Sequence, residues 1–485
     1  MRNGRAIEVR APALCAVAGV LLSACAVGPD YQRPKIESPG EWRIDYPKAA
    51  EVANTKWWQQ FGDPALDQLV ETALVENLDV QAASARVDQF LGVLSTTRSQ
   101  FFPQFGYSGD ASRNRASQVG PTPINGTNPN YTLYQGSLNA AWQIDLFGRV
   151  RRQSEAAQAQ VYASEQGRHG VILSIVTTTA TNYIVLRSLD RQLEVARSSA
   201  RNYADTKELF QLRFAGGVVS EVELAQIESQ YQLALATIPS LEQQIAAQEN
   251  LISVLLGRNP GAIPRGKSID ELVPPAIPAG LPSELLERRP DILQAEQNLV
   301  AVNANIGVAK SLYFPSISIT GLFGALSTAA GDFLTGPART WSVGASLAGP
   351  IFTFGAISGQ VQTAEAAQQE ATLFYRSTIL NAFRETSDAL VGSQKKLEEA
   401  EAQARRVRAL RDYARLARLR FDNGASSYIE VLFAENDLFS AELTAVSTQA
   451  ERYTQLINVY KAMGGGWVDL SDPMAAPPKG DGKRN

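Results

Sequence analysis

The sequence contains few of the residues that metal and nucleophilic chemistry require. Of its 485 residues, one is a histidine, His169, and two are cysteines, Cys15 and Cys25. A single histidine excludes a histidine-based metal cluster, and no CxxC, HExxH or glycine-rich phosphate loop is present. The sequence therefore predicts no catalytic residue, no cofactor and no metal site, and an enzyme is the least favoured class of protein.

Charge and hydropathy exclude two further classes. The chain has 45 lysines and arginines against 49 aspartates and glutamates, a net charge of −4. Because nucleic-acid binding calls for a basic surface, no nucleic-acid partner is predicted. No run of 18 or more apolar residues is present, so the sequence predicts no transmembrane helix. If the chain crosses a membrane, it must do so by β-strands.

The first 24 residues have the pattern of an export signal. A basic start precedes an apolar run over 11–22, and the small residues Ser23 and Ala24 follow. This run is too short to span a membrane. One interpretation is a generic signal cleaved near Ala24. The other is a lipoprotein signal, because Leu22-Ser23-Ala24-Cys25 resembles a lipobox, and it predicts a lipid on Cys25. Cleavage before Cys25 leaves a net charge of −6.

The remainder of the chain contains an internal repeat. Residues 77–103 resemble 289–315 at an offset of 212, and 148–257 resemble 355–464 at an offset of 207. The offset changes within a Gly-, Pro- and Asn-rich stretch that is typical of a surface loop. We therefore expect two copies of one structural unit.

Each copy has the same predicted order of elements. A helix ends at a Phe-Pro pair, two strands follow, and a long helix then turns sharply into a returning helix. The segment from Gly148 to Phe214 has no proline, and the helices beside the turns carry heptad-like apolar stripes, as in a coiled coil. The strands alternate: in "TWSVGASLAGPI", Trp341, Val343 and Leu347 share one face.

The chain has four predicted strands, two in each copy, which are too few to form a closed barrel. Small barrels need about eight strands. In lipid, an open sheet edge would cost several kcal/mol for each unpaired backbone group. A soluble sandwich is one interpretation of the strands. If they lie in a membrane instead, two or three copies of the chain must share one barrel.

The two sharp turns have the residues that such turns require. Gly217 and Gly424 can take the left-handed conformation that ends a helix. In each case a serine and, three residues later, a glutamate have the spacing of a capping box on the returning helix. These pairs are Ser220 with Glu223 and Ser427 with Glu430. The residues alone predict a turn and no further role.

Several segments together resemble one known family. They are "VGPDYQRP" after the lipobox, "WWQQFGDPALDQLVETALVENLDV", two copies of Arg-Phe-x-x-Gly, and "YKAMGGGW". Over residues 20–467 the chain resembles an outer membrane factor of the TolC type. The closest branch is the lipidated OprM/NodT-like group that serves resistance-nodulation-division efflux pumps.

The resemblance implies a fold, a function and partners. The fold would be mainly α with a β-barrel part: a homotrimer whose shared barrel has four strands per chain, continued by a long periplasmic coiled-coil tunnel. The protein would be a passive, gated exit duct for drugs or other small molecules, lipid-anchored in the outer membrane of a Gram-negative bacterium. Its partners would be a periplasmic adaptor protein and an inner-membrane transporter.

The resemblance also implies roles for individual residues. The two turns correspond to the tips that dock onto the adaptor, and the gate region lies just beyond the second tip. Relatives often carry an aspartate at the gate, where this chain has Phe433. A ring of phenylalanines could close the tunnel by dewetting, or Phe433 could pack against a neighbouring helix. Candidate tip residues are Arg213, Phe214, Gly217, Ser220, Glu223, Arg420, Phe421, Gly424, Ser427 and Glu430. Candidate gate residues are Phe433, Glu430 and Glu435.

The domain organisation follows from the repeat. We expect a signal peptide at 1–24, a lipid-anchored extension with the start of the first helix at 25–76, a first repeat at 77–257, a linker at 258–288, a second repeat at 289–464 and a tail at 465–485. Within the repeats, the strands are expected at about 104–147 and 316–353, and the tips near 214–221 and 421–428.

Two other functions remain open at this point. The same type of duct could serve metal efflux or type I secretion. A protein of a different class, a lipid-anchored coiled-coil tether, would fit the helices and the lipobox but would form no barrel.

Overall fold

The fold is taken from a computed structural model. It describes residues 26–36, 39, 56–119, 129–277 and 285–464. The signal segment, the lipid site predicted at Cys25 and the tail at 465–485 lie outside the described residues.

The described residues form eight α-helices. Their bounds are α1 Pro64–Glu76, α2 Leu78–Ser99, α3 Arg149–Ala215, α4 Glu221–Leu255, α5 Leu285–Arg288, α6 Pro290–Ser311, α7 Ala356–Asp422 and α8 Tyr428–Ala462. Short 3-10 helices lie at Trp57–Phe61, Ala330–Asp332 and Gly336–Ala338.

The helix lengths confirm the repeat. The helices α3 and α7 each have 67 residues, and the returning helices α4 and α8 each have 35. The short helices α2 and α6 each have 22 residues. Helices of 67 residues are possible here because neither contains a proline.

Four strands form one antiparallel sheet in the order β1-β2-β3-β4. They are β1 Gln104–Arg115, β2 Asn130–Ile144, β3 Ser316–Ser327 and β4 Arg339–Ala348. Each repeat thus contributes one hairpin, as predicted, and β2 pairs with β3 to join the two hairpins. Within the described residues, β1 and β4 are the edges of the sheet.

The register sorts the side chains by polarity. Tyr107 lies opposite Leu138, Leu138 opposite Phe323, and Phe323 opposite Trp341, so four large apolar side chains form one row across the sheet. All four are exposed. The alternation predicted from the sequence is therefore confirmed, and one face of the sheet is apolar and uncovered in a single chain.

Two compact units make up the chain, and each contains pieces of both repeats. Of the described residues, those within Met1–Lys35, Asp88–Ala163 and Ala295–Tyr375 form one unit, and those within Ile36–Val87, Ser164–Gln294 and Arg376–Asn485 form the other. The sheet belongs to the first unit, and the two sharp turns belong to the second.

An aromatic core stabilises the second unit. Trp57, Trp58 and Phe61 on the first 3-10 helix are fully buried. The Trp57 ring stacks on Tyr460 at 5.1 Å between centroids, and Phe61 meets Tyr453 edge to face at 5.6 Å. Aromatic pairs of this kind contribute about 0.5–1.5 kcal/mol beyond the area that they bury.

A buried carboxylate connects three segments of this core. The Asp63 side chain caps α1 by accepting a hydrogen bond from the Ala65 amide, and it accepts further bonds from the Tyr183 hydroxyl at 2.7 Å and the Lys267 amide at 3.1 Å. Each contact satisfies a polar group that would otherwise be costly to bury.

The helix α3 is the one described helix that is long and apolar enough to cross a membrane. Its most apolar 18-residue window has a mean hydropathy of 1.3, and half of that window is buried inside the protein. The core helix of a globular protein meets the same criteria, so length and composition do not make α3 a membrane span.

Candidate functional site: the hairpin turns and the sheet

The first turn, between α3 and α4, has the hydrogen bonds of a Schellman motif. Gly217 has a φ of 71°, its amide donates to the Phe214 carbonyl at 2.9 Å, and the Val218 amide donates to the Arg213 carbonyl at 2.9 Å. These bonds satisfy carbonyls at the end of α3 that would otherwise have no partner. The left-handed conformation predicted for Gly217 is confirmed.

The second turn, between α7 and α8, repeats this geometry. Gly424 has a φ of 72°, its amide donates to the Phe421 carbonyl at 2.9 Å, and the Ala425 amide donates to the Arg420 carbonyl at 2.8 Å. An added Cβ atom would meet no atom within 4 Å at Gly217 or at Gly424. Both glycines are therefore required for their backbone conformation and not for close packing.

The capping box predicted at the first turn is confirmed. The Ser220 hydroxyl accepts a hydrogen bond from the Glu223 amide at 3.3 Å, and the Glu223 carboxylate accepts one from the Ser220 amide at 2.9 Å. The two residues thus satisfy each other's backbone donors where α4 begins.

The capping box predicted at the second turn is wrong. Ser427 precedes α8, but its side chain makes no capping hydrogen bond. The Glu430 carboxylate instead pairs with the Arg420 guanidinium on α7, at 2.9 Å. A charged partner across the turn competes with the backbone amide for the same carboxylate, so equal spacing in the two repeats does not produce equal bonds.

The aromatic residues at the turns are also arranged unequally. Phe210 stacks on Phe421 at 6.1 Å, and the Tyr428 ring contacts both, at 4.3 and 5.1 Å between centroids. The Arg213 guanidinium lies over Phe421 at 5.3 Å and over Phe210 at 5.7 Å. This aromatic cluster connects α3 with α7 and α8, and cation–π contacts of this kind contribute about 0.5–1 kcal/mol when exposed.

The first turn presents apolar side chains to solvent. Phe214 is the repeat equivalent of Phe421, yet it is 42% exposed. Leu212, Val218 and Val222 beside it are more exposed still. Exposed apolar side chains that are grouped at one place indicate a contact surface. We refer to Leu212, Phe214, Val218 and Val222 as the apolar tip.

The three gate candidates have different surroundings on α8. Phe433 is 59% exposed, so most of its side chain is uncovered in a single chain. Glu430 pairs with Arg420, as described above. Glu435 is partly buried, and burial raises the pKa of its carboxyl, while the charge of Arg418 acts in the opposite direction.

Sequence reasoning missed three residues at this end of the molecule. Arg418 on α7 lies 3.6 Å from Asp422 and 3.8 Å from Glu435. Phe210 and Tyr428 form the aromatic cluster with Phe421. The four-residue spacing of Arg418 and Asp422 could have revealed that pair, but no local pattern indicates contacts with residues of another helix.

The second face of the sheet is polar. The Ser108 and Ser137 hydroxyls lie 2.9 Å apart across β1 and β2, and the Ser318 and Ser346 hydroxyls lie 2.7 Å apart across β3 and β4. Asn139 accepts a hydrogen bond from Ser137 on the same face. A sheet with one apolar and one polar face suits a boundary between lipid and water.

The residues directly after Cys25 are held against the helical part of the first unit. The Arg152 guanidinium donates to the Val27 and Gly28 carbonyls and pairs with Asp30 at 2.8 Å. Gly148 lies so close to Ala26 that an added Cβ atom would be 2.8 Å from the Ala26 Cα atom. Ala26 therefore lies beside the segment that joins β2 to α3.

Clusters of three or more potential metal ligands do not occur among the residues that the structure describes.

Comparison with known proteins identifies the family. A family model for outer membrane efflux proteins matches residues 69–258 and 281–465. The chain belongs to the outer membrane efflux protein family. It is thus an outer-membrane component of an efflux system, as predicted.

Individual family members are similar over nearly their whole length. The probable efflux pump outer membrane protein TtgC of Pseudomonas putida is 32% identical over 94% of this chain and 95% of its own. The probable outer membrane lipoprotein SilC of Salmonella typhimurium is 29% identical over 93% of this chain and 97% of its own. A crystal structure of CusC, from a study of its folding and transmembrane channel formation, matches the fold with a TM-score of 0.82. The two chains are 30% identical, and the match covers 91% of this chain and all of that one.

Proposed function

We propose that the protein is the exit duct of a tripartite efflux pump, formed by three copies that share one twelve-stranded barrel. The observation that carries the proposal is the sheet: four strands, one apolar face, one polar face and two edges in the described part of the chain. Four strands cannot close, and an unpaired edge in lipid costs several kcal/mol per group. A barrel shared by three copies removes every edge.

The faces of the sheet assign its environment. The apolar face would contact lipid, and the polar face with its serine pairs would line a water-filled lumen. Such a lining conducts solutes without chemistry, so the proposed protein is a passive channel and not an enzyme. The inner-membrane transporter would supply the energy.

The hairpin turns are the proposed contact with the periplasmic adaptor. The apolar tip supports this proposal, because all four of its side chains are exposed although the neighbouring aromatic cluster is packed. The remaining candidates Arg213, Gly217, Ser220, Glu223, Arg420, Phe421, Gly424, Ser427 and Glu430 would shape the two turns behind that surface. Phe433, with Glu430 and Glu435 nearby, is proposed to line the closed gate.

Cys25 is the proposed lipid attachment site. Residues 26–30 lie against the junction of β2 and α3, so a lipid on the preceding residue would enter the membrane beside the sheet. The lipoprotein SilC is a relative over nearly its whole length, in keeping with such an anchor.

The proposed cargo is a drug or another small molecule. TtgC proteins of Pseudomonas putida are named for efflux and in one strain for toluene, whereas the CusC relatives are named as cation efflux proteins at 30% identity. The same duct serving metal efflux is therefore the alternative. Growth of a deletion strain complemented with this protein, in the presence of toluene and in the presence of metal-cation salts, separates the two.

The decisive experiment measures the mass of the detergent-extracted mature protein by light scattering and its conductance in a planar bilayer. Three chains per particle and discrete conductance steps are expected. A folded monomer without conductance would replace the duct with a lipid-anchored coiled-coil tether.

A further inference from the structure

The two hairpins of the sheet have the same register. In the first hairpin Gln104 lies opposite Ala141, and in the second Ser316 lies opposite Ala348. Adding the repeat offsets, 212 for β1 and 207 for β2, converts the first pair into the second. The sheet is therefore built from two equivalent copies, and the repeat is preserved at the level of individual residue pairs.

The pairing of β2 with β3 shows how one copy joins the next. Leu138 lies opposite Phe323 along this junction. The junction connects the last strand of the first hairpin to the first strand of the second. The corresponding strands that remain are β4 and β1, which are the two edges of the sheet.

An aromatic stack marks the base of this junction. Phe147, just after β2, stacks on Phe314, just before β3, with centroids 4.7 Å apart and planes 22° apart. The same offsets convert Phe147 into Phe354 and Phe314 into Phe102. In one chain these two counterparts lie at opposite edges of the sheet, where Phe354 is 100% and Phe102 67% exposed.

Phe354 is unusual in its backbone as well as its exposure. Its φ is 46°, and among the described residues it is the one non-glycine residue with a positive φ. For a bulky residue this conformation is sterically unfavourable, because Cβ lies close to the backbone carbonyl oxygen. A fully exposed aromatic side chain on a strained backbone gains nothing from solvent, so a partner that covers it is expected.

We propose that β4 of one subunit pairs with β1 of the next in the register of β2 and β3. The repeat offsets then place Ala345 opposite Ala111 of the partner subunit, and Phe354 stacks on Phe102 of the partner subunit. The inference rests on the trimer proposed above and adds the register and the aromatic contact of its subunit boundary.

A second copy of the chain is the expected partner of the edge strands, because the apolar and polar faces of β4 and β1 then align. Ala345 shares the apolar face of β4 with Trp341 and Val343, and Ala111 shares the apolar face of β1 with Tyr107, since each pair is separated by an even number of residues. The proposed register therefore continues the apolar face across the boundary. A slip of one residue would set the apolar face of one strand beside the polar face of the other.

Cysteine cross-linking tests the register. The chain has only Cys15 and Cys25, and Cys15 lies in the signal segment, so introduced thiols have little competition. The double variant Ala111→Cys with Ala345→Cys is oxidised in membranes and run on a denaturing gel without reductant. Linked dimers and trimers are expected. Within one chain the two positions lie on the two edge strands, at least three strand spacings or about 14 Å apart, too far for a disulfide.

Two register-shifted variants are the matched controls. Ala345→Cys is combined with Gly109→Cys or with Arg113→Cys, which keep the face and move the pairing by two residues. Stronger cross-linking in either control overturns the register. A trimer by mass without cross-links in any of the three variants overturns the pairing but leaves the proposed function intact. A monomer by mass overturns the proposed function itself.

The aromatic contact has its own test. Phe354→Ala and Phe102→Ala should each lower the temperature at which the trimer dissociates in SDS by several degrees, and the double variant should lower it little further. Phe352→Ala is the control, because its repeat counterpart is Asp145 and no stack is expected there. Additive effects of the two variants, or an equal effect of Phe352→Ala, would overturn the stack.

Discussion

The Arg418 guanidinium on α7 lies 3.8 Å from the Glu435 carboxylate on α8, close to the second turn. It lies 3.6 Å from Asp422 on its own helix as well, so one cation serves two carboxylates. Burial raises the pKa of Glu435 despite this positive neighbour. The contact between the two helices therefore involves a carboxylate whose charged form is destabilised by burial.

Because the charged Glu435 carboxylate is costly to bury, we expect its neutralisation to stabilise the folded protein, by an amount that depends on pH. Between the ordinary and the raised pKa, the folded state keeps a proton that the unfolded state releases, so the contribution of Glu435 to stability falls as pH rises through this window. Glu435→Gln should raise the melting temperature at pH 7, and this gain should vanish near pH ~4. Thermal unfolding of both proteins across this range measures it.

The matched control is Glu442→Gln on the same helix. Glu442 pairs with Arg411 at 2.7 Å, so this variant should lose a little stability at pH 7 and gain none. A constant difference between Glu435→Gln and the parent protein at all pH values would contradict the role of burial.

Removal of the buried Asp63 carboxylate should be severely destabilising. Asp63→Ala would leave the buried Tyr183 hydroxyl without its acceptor, at about 1–3 kcal/mol, and would remove the acceptor of the partly buried Lys267 amide as well. We expect a loss of several kcal/mol in the free energy of unfolding, measured by denaturant titration. Glu71→Ala on the same helix should change it by less than about 0.5 kcal/mol, and equal effects would contradict the network.

Two glycines with the same backbone conformation should respond differently to alanine. Gly217→Ala meets open space and carries only the cost of a left-handed backbone, about 1–2 kcal/mol. At Gly257, with a φ of 68°, an added Cβ atom would lie 2.3 Å from the Glu76 carbonyl oxygen. Gly257→Ala should therefore lower the melting temperature much more than Gly217→Ala. Similar melting temperatures for the two variants would show that α1 moves away at little cost.

Phe433 should control conductance through its apolar surface. Phe433→Ser should raise the open probability or the conductance in a planar bilayer, because a polar ring stays wet where an apolar ring excludes water. Phe433→Leu keeps an apolar side chain and should remain closed. If both variants behave like the parent channel, Phe433 does not line the gate.

Much of the fold could be predicted from the sequence because it is encoded by local patterns. Alternation in "TWSVGASLAGPI" predicts a strand whose faces differ, and the absence of proline before Phe214 predicts one long helix. Gly217 and Gly424 end their helices for local steric reasons. The repeat adds a check, because the same pattern predicts the same element twice.

The candidate site was harder to predict because its contacts join distant parts of the chain. The Ser427 and Glu430 spacing matches that of Ser220 and Glu223, yet Glu430 bonds with Arg420. Phe214 and Phe421 occupy equivalent positions, yet only Phe421 joins the aromatic cluster. In both cases a neighbour on another helix decides which contact forms.

The sequence by itself determined the two-fold repeat, the order of helices and strands within each copy, and the alternation of apolar and polar residues along the strands. Each of these depends on spacing along the chain, which backbone geometry converts directly into structure. Only the tertiary structure decided the register of the four strands and the partners of Arg418 and Asp63. It also showed that Phe147 stacks on Phe314 whereas the equivalent residues Phe354 and Phe102 do not meet within one chain. The reason is that Phe354 and Phe102 lie at the two opposite edges of the sheet.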